Sequence, residues 1–220
     1  QSTQLSVSAG TGFKAPTFND LYYPLNFGYK GNSDLVSETS KSYEFSVKSQ
    51  FDALSIAFNL YQTDIEDLID WSGSDKDGNV TPVNVDDVEI KGAELGANYQ
   101  GFGGVHQFNV SYIEAEDAST GKQLGRRAKN HISYQFDTTL AKADLYAEIQ
   151  YKGKRYDYLF GGTVVKLDSY SLVNLGVSYP VSDNIKLQAK VNNVFDENYQ
   201  TSSAYFTQER VAYFGITYQN

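Results

Sequence analysis

Residues 184–199, NIKLQAKVNNVFDENY, alternate strictly over their first half. Ile185, Leu187, Ala189 and Val191 point one way, and Lys186, Gln188, Lys190 and Asn192 point the other. A period of two is the mark of a strand with one apolar and one polar face. Alternation alone does not say which face is inside. In a soluble sandwich the apolar side packs on a core and the polar side meets water. In an outer-membrane barrel the apolar side faces lipid and the polar side lines a lumen.

Working outward, about ten such segments follow one another, at 3–13, 42–51, 53–71, 88–100, 105–117, 126–137, 143–158, 169–180, 184–199 and 208–219. No helical period of useful length interrupts them. The connections alternate too. Short ones fall around Asp52, at 101–104, around Thr139 and at 180–184, while long polar ones follow the odd-numbered segments, the longest at 14–38. Short turns on one rim and long loops on the other is the outer-membrane arrangement.

The residues beside the short turns decide between the two readings. Phe51, Tyr99, Phe136, Tyr179 and Tyr218 all fall on the apolar parity of their strands, at the same end. A membrane interface selects such an aromatic row, because an amphipathic ring sits well among headgroups. The polar parity carries Glu44, Lys48, Asp144, Glu148, Lys152, Lys186 and Lys190. Burying these between two sheets would cost several kcal/mol each, whereas a wet lumen leaves them solvated. The predicted fold class is therefore all-β: a transmembrane antiparallel up-and-down β-barrel wall.

Composition agrees. Tyr (18), Phe (13) and Gly (18) are abundant, and Cys and Met are absent. The net charge of −9 argues against nucleic acid, which selects a basic surface. No apolar run approaches the roughly 18 residues of a spanning helix, which leaves a barrel open. No signal-peptide pattern opens the chain, so a mature or truncated product is expected.

Several motifs carry a family resemblance. GTGFKAPTFNDLY (10–22) followed by GNSDLVSETSKSYE (31–44) resembles the TonB-dependent outer-membrane receptors, in which a strand ends in FKAP and a loop reads GNP-x-L-x-PE. Ser33 and Ser37 stand where that pattern has prolines. IKGAELGANY (90–99), RRAKNHISYQFD (126–137) and VNNVFDENY (191–199) are similar to the C-terminal barrel portion of these receptors. DIEDLIDW (64–71), YKGKRYDY (151–158) and the run at 165–184 resemble the cobalamin-transporting branch. The resemblance implies that residues 1–220 are the C-terminal part of a 22-stranded barrel. Its plug domain and N-terminal strands would lie outside this chain. It further implies a Gram-negative outer membrane, active transport of cobalamin or another large scarce nutrient, TonB acting through the absent N-terminal part, and contact with lipopolysaccharide and lipid. Calcium would belong to the full-length protein, in loops outside this segment. A ferric-siderophore or haem receptor, or a small non-transporting porin or adhesin, are the alternatives. Asn220 stands where such barrels end in Phe.

No catalytic set emerges, and no enzyme is expected. His106 and His131 lie on separate strands without Cys or carboxylate at ligand spacing, as polar wall or rim residues do. The loop DKDGN places Asp75, Asp77 and Asn79 at the first, third and fifth positions of a calcium loop, with Asp86 at the twelfth. Its glycine is misplaced for that role, and Asp-Gly-Asn is equally ordinary turn chemistry. The resemblance implies that Arg126 or Arg127 reaches substrate at the outer mouth; a rim arginine on lipopolysaccharide phosphate is the other reading. Unbroken alternation would turn Arg127 inward and Arg126 outward. Tyr22 and Tyr23, with Phe27 and Tyr29, crowd the first long loop, and Tyr156, Tyr158 and Phe160 a later one. Both sets could cover a flat ligand or pack their loops on themselves.

Overall fold

The computed structural model describes residues 1–85, 87–159 and 163–219. Along the chain run β1 (Ser2–Lys14), α1 (Phe18–Tyr22), β2 (Glu38–Phe51), β3 (Leu54–Glu66), β4 (Leu68–Ser74), β5 (Val80–Val85), β6 (Val88–Gly101) and β7 (Gly104–Asp117). Then come β8 (Asn130–Leu140), β9 (Ala143–Lys152), β10 (Arg155–Tyr158), β11 (Val164–Leu167), β12 (Tyr170–Pro180), β13 (Ile185–Asn192) and β14 (Val211–Tyr218). Ten of these strands form one sheet in the order β1-β2-β3-β6-β7-β8-β9-β12-β13-β14, antiparallel throughout. The pairs β4-β5 and β10-β11 are separate hairpins that leave the sheet and return to it.

All four short connections lie at one end. In the two-residue Phe102–Gly103 turn φ is 47° and 83°; two positive values give a turn whose twist matches the strands it joins. The long loops gather at the other end.

Register confirms the two faces. Tyr99 pairs with His106, His106 with Phe136 and Phe136 with Ala147, while Tyr179 pairs with Leu187 and Ile185 with Tyr218. Phe51, through Leu54, joins the same face. Higher on that face stand Phe45, Leu60, Leu95, Phe108, Ile132, Ile149 and Leu175, followed near the long loops by Lys41, Asp64, Lys91 and Glu114. The opposite face carries Glu44, Lys48, Asp144, Glu148, Lys186 and Lys190. A cleft of about 1030 Å³ collects side chains from seven strands on this polar face, so it is the concave one. Gly92 on it faces Tyr61 across the strands, and the Tyr61 ring lies where a Cβ on Gly92 would stand.

The apolar face is uncovered. Leu60, Phe108, Ile149 and Leu175, in mid-sheet, are 43, 38, 50 and 44% exposed. Left in water, half-covered side chains of this kind forgo about 1–2 kcal/mol each. Eight or so would cancel the roughly 5–15 kcal/mol that holds a domain folded. Among the described residues, the buried hydrophobic ones are instead Leu35, Ile69, Val80, Val88, Ala115, Leu167 and Tyr170, which sit under or beside the long loops. A sheet that leaves its mid-strand apolar side chains uncovered and buries apolar residues only toward its long-loop rim is built for an apolar solvent.

Four strand boundaries differ from the sequence expectation. The run at 53–71 is broken at Asp67, whose φ of 59° turns the chain out of the sheet into β4. The run at 126–137 becomes strand only at Asn130, because Arg126 has φ 60°; alternation does not extend to Arg126 and Arg127. The run at 143–158 is interrupted at Gly153–Lys154 before β10. In the opening stretch, β13 ends at Asn192; Asn193 has φ 51°, and its side chain binds the Glu197 N–H and C=O to make a compact turn.

Candidate functional site

The long loops form two clusters on the rim. In the first, residues 15–37 lie on the β4-β5 hairpin. Thr17 and Asp20 make a capping box that starts α1: the Thr17 N–H and hydroxyl donate to Asp20 Oδ2 (2.8 and 2.7 Å), and the Asp20 N–H donates to Thr17 Oγ1 (3.2 Å). Trp71 Nε1 donates to the other Asp20 oxygen at 3.0 Å. Burial pushes the Asp20 carboxyl up, but the Thr17 donors, the Trp71 N–H and nearby Lys14 outweigh it and hold the group below the usual carboxylate range. The rings of Tyr23 and Tyr29 pack on Trp71 with centroids 5.9 and 6.3 Å away. Backbone bonds complete the seam: Lys30 N–H to Val80 O and Val80 N–H to Gly28 O, with Asn84 bridging both polar groups of Val36. Glu38 accepts from Lys14 Nζ at 2.7 Å and from the Ile69 N–H at 2.9 Å.

The Asp75–Asn79 turn closes this hairpin. Asp75 Oδ1 accepts the N–H groups of Asp77 and Asn79, and both its oxygens accept from Asn79 Nδ2. The Asn79 bonds above all, with the Asp77 N–H and Lys30 at 3.9 Å, lower the Asp75 carboxyl. The carboxylate is thus engaged within its own turn, and among the described residues no group of three or more His, Cys, Asp or Glu could hold a metal ion. Asp86 lies outside the described residues, as do Phe160 and Asn220.

The second cluster turns on Asp157 of β10, 2% exposed. Its carboxylate accepts from Arg126 Nε (2.8 Å), the Ser203 N–H (2.7 Å) and Ser202 Oγ (3.1 Å), tying loops 118–129 and 193–210 to the β10-β11 hairpin. Burial pushes this carboxyl up, yet the Ser203 N–H, the Arg126 guanidinium and the Ser202 hydroxyl hold it low. Arg155, equally buried, donates to Gln200 O and stands 5.2 Å above the Tyr170 ring, which stacks on Tyr199 at 4.3 Å. Of the two predicted arginines, Arg126 is anchored at both ends, with its N–H on Tyr156 O and its side chain on Asp157. These bonds compensate the left-handed conformation at Arg126, which costs about 1–2 kcal/mol. Arg127 is exposed, and no side-chain partner is found for it among the described residues. The tyrosines divide likewise. Tyr22 is 63% exposed; Tyr23 is packed on Trp71; Tyr158 donates to Gln123 O; Tyr156 is half-buried.

His106 stands in the aromatic row itself, bonded to the Tyr134 hydroxyl (2.8 Å) and Gly101 O (3.0 Å), with the Phe136 ring 4.7 Å away. His131 is on the concave face. Sequence reasoning missed Asp157, Arg155 and the Asp20–Trp71 pair. Only Thr17-x-x-Asp20 had a local signal, the spacing of a capping box.

Residues 1–194 match the family model described as "TonB dependent receptor-like, beta-barrel". The chain belongs to the TonB-dependent receptor β-barrel family. This receptor wall is 37% identical over 219 residues to the "Vitamin B12 transporter BtuB" of Photobacterium profundum, covering 98% of the chain and 35% of that protein. It is 35% identical over 196 residues to the same-named protein of Vibrio vulnificus, covering 89% and 31%. The chain spans about a third of the length of these relatives. Among solved structures it is similar to the "Copper transporter OprC" (TM-score 0.82, 20% identity, 98% of this chain and 37% of that one). It is also similar to a ferric enterobactin receptor (PfeA) mutant of Pseudomonas aeruginosa (TM-score 0.79, 21% identity, 98% and 38%). At such identities the structures speak for the fold alone. The receptor is an outer-membrane β-barrel protein of Gram-negative bacteria, and its uncovered apolar face is the lipid face.

Proposed function

We propose that residues 1–220 are the C-terminal wall and outer loops of a 22-stranded receptor that imports cobalamin across the outer membrane. The observation that carries this reading is the identity of more than a third to two vitamin B12 transporters along nearly the whole chain. The loops would capture the ligand, and a plug domain outside this chain, rearranged by TonB, would admit it. Nothing in this scheme is enzymatic.

Cobalamin is a flat ring fringed with amides and carrying a nucleotide phosphate. A guanidinium donates to both kinds of oxygen, and an exposed ring offers a flat contact. Among the candidates Arg126, Arg127, Tyr22, Tyr23, Tyr156 and Tyr158, Arg127 and Tyr22 have the freest side chains and come first. The aromatic row of Phe51, Tyr99, Phe136, Tyr179 and Tyr218, now with His106, would sit at the inner-leaflet headgroups. Lipopolysaccharide would meet the outward charges above the apolar band. Calcium would act in loops beyond this chain.

The test is equilibrium binding of cyanocobalamin to the full-length receptor in detergent, with calcium and with chelator, against a ferric siderophore. Tight, calcium-dependent cobalamin binding is expected. Binding of the siderophore instead would make this an iron-chelate receptor, as some of its structural neighbours are named.

A further inference from the structure

Arg126 is fixed more firmly than an exposed rim arginine needs to be. Its N–H donates to Tyr156 O at 2.7 Å and its Nε to Asp157 Oδ1 at 2.8 Å, and its backbone stands at φ 60°, where a side chain is disfavoured. The loop that carries it is tied to β10 again where the Tyr158 hydroxyl donates to Gln123 O, and Gln123 Nε2 in turn donates to Arg127 O. All of this fixing acts at the base of the guanidinium. Asp157 is buried, whereas the Arg126 side chain is 59% exposed, and neither Nη1 nor Nη2 has a partner among the described residues.

A guanidinium held only by Nε keeps both terminal amino groups free, in one rigid plane. An arginine that serves to tie loops together turns those groups onto protein oxygens, as buried Arg155 turns Nη2 onto Gln200 O. At Arg126 a left-handed residue and a buried charge, each costly to stability, are retained together beside donors left in water. We infer that Asp157 is a positioning residue for ligand capture: it holds Arg126 by Nε so that Nη1 and Nη2 meet acceptor oxygens of the nutrient. A donor placed before encounter loses little rotamer freedom on binding, which the free side chain of Arg127 beside it does lose. The inference rests on the reading of these loops as the capture site for cobalamin.

Cyanocobalamin affinity and hydrogen exchange at 200–205 are measured together on each variant of the full-length receptor in detergent. A structural tie makes the two change together; positioning separates them. Arg126→Lys, whose single amine can hold Asp157 or meet the ligand but not both, is expected to keep exchange within about 3-fold of the parent and to lose affinity about 10-fold. Thr207→Ala removes a hydroxyl that donates to Tyr199 O inside loop 193–210. Exchange in that loop rises about 5-fold and affinity stays within about 2-fold. Asp157→Asn keeps an acceptor for Ser202 and Ser203 but removes the charge that holds Nε, and loses affinity about 10-fold. Heat-modifiable gel mobility reports folding. Should Asp157→Asn not fold, Asp157→Glu, which moves the charge by one methylene, carries the test with a loss of about 5-fold. Full affinity in folded Arg126→Lys or in the folded Asp157 variant overturns the inference, as does a loss in Thr207→Ala equal to theirs. Dicyanocobinamide keeps the ring amides and lacks the nucleotide phosphate. An equal loss on both ligands places the acceptor among the amides, a loss on cyanocobalamin alone places it on the phosphate, and either supports the inference. A parent that binds the ferric siderophore and not cyanocobalamin removes the cobalamin reading alone. The same variants are then titrated with the siderophore, with the same losses expected and the same outcomes overturning the role of Asp157.

Discussion

The two loop clusters share one rim and each turns on a buried carboxylate, but they are built differently. Around Asp20 the partners are neighbours in sequence or an indole N–H, and most of the seam to the β4-β5 hairpin is backbone bonding and ring packing. Around Asp157 the partners come from two other loops, 31 to 46 residues away, and a second buried charge, Arg155, stands beside it. The first cluster is a folded unit laid on a hairpin. The second is three loops that meet at one buried side chain, with Arg155 on Gln200 O and Tyr158 on Gln123 O as further ties.

The sharpest way to break this contrast is Asp157→Ala. It leaves the Ser203 N–H and the Arg126 guanidinium without their acceptor, at about 3 kcal/mol. Hydrogen exchange in the full-length receptor should then accelerate by about 100-fold across 200–205 and 122–127, with 15–37 unaffected. Parallel acceleration in both clusters would show that they are one unit.

Acid tests what they have in common. Both carboxyls are lowered on folding, so their contribution is fully present above the ordinary carboxylate value of about 3.9 and lost as pH falls through the folded value. Exchange in both clusters is therefore flat from pH 7 to 5, after correction for intrinsic rates, and rises below about pH 4. A transition near pH 6 would implicate histidine instead.

Trp71→Phe keeps a ring for Tyr23 and Tyr29 but removes the donor to Asp20. Because the capping box survives, the loss is about 1 kcal/mol and exchange at 18–23 rises about 5-fold. The smallest structural effect belongs to Arg127→Ala, expected within about 0.5 kcal/mol of the parent because that side chain has no partner among the described residues. Its effect should appear in cyanocobalamin affinity. Arg126→Ala reverses the pattern, loosening 200–205 before any ligand is added.

Much of the wall was legible because a period of two and the placement of aromatics act locally. Phe51, Tyr99, Phe136, Tyr179 and Tyr218 could be set on one face by counting alone. The same rule overreached at Leu68–Ser74 and Arg155–Tyr158, where alternation continues into hairpins that leave the sheet. Nothing local distinguishes a strand in the wall from one above it; three of the four departures occur at left-handed residues, Asp67, Arg126 and Asn193, and the fourth at Gly153–Lys154. The Asp157 junction was illegible for another reason. Its donors are a guanidinium, a hydroxyl and a backbone N–H from distant segments, and no spacing in the chain announces that they meet. Arg126 and Arg127 were singled out together as substrate contacts; the structure ties Arg126 to Asp157 and leaves Arg127 without a side-chain partner among the described residues.

The uncovered outer face also sets how freely this sequence can drift. Trimming a side chain in a packed interior costs its transfer energy plus the void left behind. Liquid hydrocarbon leaves no void, because it flows into whatever shape is offered. At Leu60, Phe108 or Leu175 one apolar residue can therefore replace another with little consequence. Val88 and Leu167, enclosed by protein, carry the full packing constraint. Related receptors are thus expected to vary most along the wall in which aliphatic residue they use, and least in the few small side chains pinned beneath the loops.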